Sequence, residues 1–82
     1  MDGEKSKLLW RCRRGIREMD IVLQDFIHQQ FDGLSEQDQA SFRKLLDEAD
    51  LDILNWLMQR DTPEDDELKH IVSIIRESRK PV

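Results

Sequence analysis

Cysteine, proline and glycine are scarce in this chain, with one, two and three among 82 residues, and tyrosine is absent. The single cysteine, Cys12, has no intramolecular partner for a disulfide, so nothing here favours secretion. No apolar run approaches the ~20 residues of a membrane-crossing helix, and membrane insertion is not expected. Met1-Asp2-Gly3-Glu4-Lys5 lacks the apolar stretch of a signal peptide and is too short and acidic for a transit peptide. These absences point to a cytoplasmic protein. Strand-like alternation, Asn-Gly hairpins, repeats and low-complexity tracts are missing as well, which removes β and solenoid architectures.

What is present is charge and helical periodicity. Hydrophobic and charged residues each make up 38% of the chain, enough apolar material for one core under a charged skin. The length allows one domain, residues 1–82, with flexible ends at about 1–4 and 79–82. The glycines and prolines, with three capping signals, predict five helical segments. The first spans about 5–13 and carries Leu8, Leu9 and Cys12. The second runs from Ile16 to Phe31 along Met19, Leu23, Phe26 and Ile27, with Gly33 as a left-handed cap beyond it. Ser35 caps a third with Phe42, Leu45, Leu46 and Ala49 on its core face. Asp50 is expected to cap a fourth, so rich in apolar residues from Leu51 to Met58 that it belongs in the middle of the packing. Thr62-Pro63 gives the expected start of the fifth, whose Leu68, Ile71, Val72 and Ile75 face inward. The expected fold is all-α, a compact five-helix bundle, and no second apolar face remains to drive dimerisation.

Most chemistry is excluded by composition. Cys12, His28 and His70 lie far apart without CxxC or HExxH spacing, so no metal site is expected. Cys12 has arginines beside it but no base and orienting group, and it reads as a small core hydrophobe. A phosphate-cradling loop needs clustered glycines, which this chain lacks. Glu18 and Asp20 as a hydrolytic pair would need a cleft to shift their pKa values. No catalytic residue is assigned.

Charge is unevenly divided. Residues 1–17 hold six Lys/Arg and two acids, whereas residues 18–75 hold four and fifteen. A nucleic acid would be repelled by most of such a surface, so a nucleic-acid partner is not expected. The segment Arg14-Gly15-Ile16-Arg17-Glu18 lies in this basic stretch and has two readings. In one, Gly15 ends a helix and Glu18, at the third position of the next, reaches back to cap it. In the other, Arg11, Arg13, Arg14 and Arg17, with Trp10, Gly15, Glu18 and Asp20, form a partner-binding patch, since exposed Trp and Arg are the usual anchors of protein interfaces. Whether Trp10 is buried or exposed decides much of the second reading.

Arg14-Gly15-x-x-Glu18 followed by Met19-Asp20, then Phe31-Asp32-Gly33-Leu34-Ser35 and Asp50-Leu51-Asp52-Ile53-Leu54-Asn55-Trp56-Leu57-Met58, resembles the succinate dehydrogenase assembly factor family. The three blocks stand in order across about residues 8–75. The resemblance implies a five-helix fold without enzymatic activity of its own. It implies binding to the flavoprotein subunit of succinate dehydrogenase, and of the related fumarate reductase, and promotion of covalent FAD attachment to that client. The family motif falls on Arg14, Gly15 and Glu18. FAD would belong to the client rather than to this chain. An antitoxin-like interaction module is the competing expectation.

Overall fold

The computed structural model describes residues 3–78 and contains five α-helices and one 3-10 turn: α1 Gly3–Arg11, α2 Arg17–Gln29, the turn Phe31–Gly33, α3 Glu36–Leu45, α4 Asp50–Leu57 and α5 Asp66–Ser78. The all-α, five-helix expectation holds. The expected flexible ends fall mostly outside the described residues, and Gly3 and Glu4 form the first turn of α1.

The apolar stripes read from the sequence converge on one core. Leu8, Cys12, Met19, Leu23, Phe26, Ile27, Phe31, Phe42, Leu45, Leu46, Ile53, Trp56, Leu68, Ile71, Val72 and Ile75 are all buried in it. Phe42 is its hub, with ring centroids 5.3 Å from Phe26 and 5.8 Å, edge-on, from Phe31. Such offset pairs add about 0.5–1.5 kcal/mol beyond burial. α3 packs on α5, α1 on α2, and α4 on α5. The Cα radius of gyration is 11.8 Å, matching the roughly 12 Å of a single compact domain this long.

Several helix ends differ from expectation. Ser35 does cap α3, its Oγ accepting from the Asp38 amide at 3.1 Å. α4, however, has Ala49 as its N-cap, and the Asp50 carboxylate turns away to Arg14. Ala49 is therefore exposed rather than a core residue of α3. α5 starts at Asp66, not Thr62-Pro63. Asp65 Oδ1 accepts from the amides of Glu67 (2.8 Å) and Leu68 (3.2 Å), while Pro63 is buried in the preceding loop. Gly33 ends a 3-10 turn and has no positive φ, so it is not a left-handed cap. Nor is α4 central. As an eight-residue helix at the flank of α5, it buries Ile53 and Trp56 and leaves Leu51 and Met58 exposed.

Candidate functional site

The eight residues of the sequence-predicted patch lie at the corner where α1 passes into α2, and the structure divides them into two sets. Gly15 makes the turn possible. Its φ is +89°, in the region where side-chain-bearing residues are strained. Asp20, one turn into α2, then gathers the turn's backbone, accepting from the amides of Arg14 at 3.0 Å and Gly15 at 3.3 Å. The acceptor is thus Asp20. Glu18, at the second position of a helix with Ile16 as N-cap and no side-chain capping bond, does not reach back.

Arg14 is the staple of the corner. Its Nε donates to the Arg11 carbonyl at 3.1 Å, closing the end of α1. Its Nη1 donates to the Glu48 carbonyl at 3.0 Å and to Asp50 Oδ1 at 2.7 Å, and its Nη2 donates to the Leu46 carbonyl. Those acceptors lie in the α3–α4 connection, more than thirty residues along the chain. The guanidinium therefore ties two corners of the bundle together, and its side chain is only 14% exposed. Three carbonyls and a carboxylate in different directions suit a planar five-donor fork and not a single ammonium. Arg11 is turned the same way and pairs with Asp47.

Cys12 is sealed beneath this staple. Burial pushes its thiol from 9.0 up to about 12, against the opposing pull of Arg14 and with a further push from Asp20. A thiol held this far from ionisation is not a nucleophile at neutral pH. Among the described residues, no group of His, Cys, Asp and Glu is arranged to hold a metal ion.

The other set faces water. Trp10 is 71% exposed, with the Arg13 guanidinium over its ring at 5.7 Å from the centroid. Arg17 and Glu18 are exposed at the start of α2. Arg13 and Arg17 form no ion pair among the described residues, whereas Lys5, Arg11 and Arg14 are spent on Asp32, Asp47 and Asp50. Three of the six cations of the basic segment are therefore already matched by acids within the fold.

Beside Trp10 lies an open groove of about 450 Å³, walled by Ser6, Leu9, Trp10 and Arg13 of the α1 side and by Gln24 and His28 of α2. The sequence reading missed Leu9, Gln24 and His28 as surface residues of the site. The signal was available, since Arg17, Ile21, Gln24 and His28 recur at helical spacing opposite the core stripe of α2. It also missed the acceptors that Arg14 finds across the fold, for which no local pattern exists.

The sequence model of the family described as flavinator of succinate dehydrogenase matches residues 6–79. The chain is 42% identical over 76 residues to FAD assembly factor SdhE of Pectobacterium atrosepticum, covering 93% of this chain and 86% of the relative. Against the SdhE of Pseudomonas aeruginosa it is 42% identical over 80 residues, covering 98% and 95%. Against that of Legionella pneumophila, strain Lens, it is 49% identical over 73 residues, covering 89% and 91%. With the five-helix fold, the stapled Arg14-Gly15 turn and matches of this extent, the chain belongs to the family of succinate dehydrogenase flavinators, the FAD assembly factors.

Proposed function

We propose that this protein binds the flavoprotein subunit of succinate dehydrogenase, and the related subunit of fumarate reductase, and promotes their covalent flavinylation as a non-enzymatic assembly factor. Family membership supports the client class. The observation that carries the reading is the division of the corner: Arg14, Gly15 and Asp20 form a rigid base, from which Arg17 and Glu18 project unencumbered. A preformed surface of this kind loses little conformational freedom on binding. With half of the N-terminal cations paired with acids of the same chain, the surface suits a polypeptide better than a polyanion.

Its contribution is positioning. Holding the client's domains so that an acceptor side chain meets the flavin can account for several kcal/mol of a barrier without a catalytic group from the helper. FAD enters as the client's cargo, and the flavin itself supplies the covalent chemistry. Dispersed glycines and a solvent-open groove beside Trp10 support reading FAD as the client's rather than this chain's. The protein acts as a monomer in the cytoplasm.

Affinity capture of the purified apo-flavoprotein subunit by the full chain tests this. Wild type is expected to capture it, and Glu18→Ala and Arg17→Ala, both exposed, are expected to capture less without a change in melting temperature. Cells lacking the protein should show reduced in-gel flavin fluorescence of the dehydrogenase. Unchanged covalent flavin in those cells would refute the assembly reading.

A further inference from the structure

We propose that the α1–α2 groove seats an acidic segment of the client polypeptide that carries an apolar side chain, an inference that rests on the assembly reading above. Three observations converge on this occupant. The first is what the groove lacks. In a chain with 18 Asp and Glu, none of the six lining residues Ser6, Leu9, Trp10, Arg13, Gln24 and His28 is a carboxylate. The second is Arg13. Its guanidinium stacks on Trp10 and holds no acid among the described residues, although neighbouring Arg11 and Arg14 both do. A cation with no acid partner among the described residues, and oriented by an aromatic face, is poised for a carboxylate from outside.

The third observation is apolar area. Trp10 is 71% exposed and Ile21 is 46% exposed, and Leu9 is half-buried at the groove wall. Large exposed hydrophobics grouped in this way mark an interaction surface. Ile21 stands between Arg17 and Gln24 on the outward stripe of α2, which puts the groove wall at Gln24 and His28 on the same helix face as Arg17. Each wall then has a role. Trp10 and Leu9 take the apolar side chain, Arg13 takes the carboxylate, and the Ser6 hydroxyl and Gln24 amide are placed for the segment's backbone. The groove extends the contact beyond the motif corner to a second patch on the same face.

The test measures affinity of the full chain for the purified apo-flavoprotein subunit at several salt concentrations. Trp10→Ala is expected to weaken binding about tenfold or more, as an interface anchor does, and Arg13→Glu likewise, with a flatter salt dependence. Position 28 reports the sign of the partner: His28→Glu weakens binding, and His28→Lys preserves or tightens it. Lys69→Glu on α5, outside the groove, should bind as wild type. All of these residues are exposed, so melting temperatures stay at the wild-type value. Equal weakening by His28→Glu and His28→Lys would show a steric site and overturn the acidic partner. Wild-type binding with unchanged groove variants overturns this inference alone, whereas no wild-type binding overturns the assembly reading with it. Self-association lost in Trp10→Ala would assign the groove to a second copy and sink the proposal.

Discussion

The bundle has two corners built by the same device. At the α1–α2 corner a residue with φ +89°, Gly15, turns the chain and Arg14 satisfies carbonyls of Arg11, Leu46 and Glu48. After α4 a residue with φ +63°, Gln59, turns the chain. There Arg76 donates through Nε to the Trp56 carbonyl at 2.7 Å and through Nη2 to the Trp56 and Asp61 carbonyls, the latter at 3.1 Å. Both arginines answer the same need, since the last carbonyls of a helix have no intrahelical donor. What surrounds them differs. The first corner displays Trp10, Arg13, Arg17 and Glu18; the second displays acids, of which Asp65 and Glu67 are already held by Lys44 at 2.8 and 2.9 Å. The Lys44 ammonium accordingly holds the Asp65 carboxyl below its usual range. The comparison teaches that a stapling arginine marks a corner the fold holds rigid, while the side chains that corner presents to solvent are those proposed to meet the client.

The largest effect expected separates the two staples. Arg14→Ala strips donors from two α3–α4 carbonyls and leaves Asp50 unpaired, a loss of about 2–4 kcal/mol. Each kcal/mol lowers the melting temperature of a domain this size by about 4–8 °C. Cys12, sealed under the staple, reports the same opening: its labelling by a thiol reagent should accelerate roughly 30- to 700-fold if opening is local. Client capture should fall in parallel, and Arg14→Lys should recover only part of it. Arg76→Ala should also lower the melting temperature, by about 1–2 kcal/mol of stability, yet leave capture intact. Loss of capture in Arg14→Ala with wild-type melting and labelling would break the comparison, because Arg14 would then be a contact and not a staple.

Cys12 also gives the first corner a pH signature of its own. The unfolded thiol ionises from about 9.0, whereas the folded thiol stays protonated to about 12. The unfolded state therefore sheds a proton that the folded state keeps. The stabilisation is fully present below pH 9 and is lost as pH rises toward 12, by about 1 kcal/mol per unit. Melting curves of wild type and Cys12→Ala between pH 8 and 11 check this, since lysines titrate in both and cancel. The difference between the two should shrink as pH rises; a constant difference would mean the thiol is not sealed.

The core was legible because periodicity is local: Met19, Leu23, Phe26 and Ile27 repeat at helical spacing and land where that spacing puts them. Ends were less legible because caps compete. Asp50 looked like a cap and became Arg14's partner; Thr62 looked like a cap and lost to Asp65, whose carboxylate also meets Lys44. The same limit applied to the site. The sequence placed Trp10, Arg13, Arg14, Arg17 and Glu18 within nine positions, and nothing local tells adjacent Arg13 and Arg14 apart. One faces water and the other faces Leu46, Glu48 and Asp50, which only the folded chain brings near.

The smallest effects lie in the two turn residues and have opposite signs. A Cβ on Gly15 meets nothing within 4 Å, so Gly15→Ala carries no clash and its cost is the left-handed backbone alone, about 1–2 kcal/mol. Gln59 already bears that cost at φ +63°. Gln59→Gly removes it but loosens the unfolded chain by about 0.5–1 kcal/mol, leaving a net gain of roughly half a kcal/mol. Denaturant melts should therefore move Gly15→Ala down and Gln59→Gly slightly up, with client capture affected only by the former. If Gly15→Ala melts with wild type, the turn is not held at its left-handed angle, and Arg14 and Asp20 fasten a corner that alanine can also make.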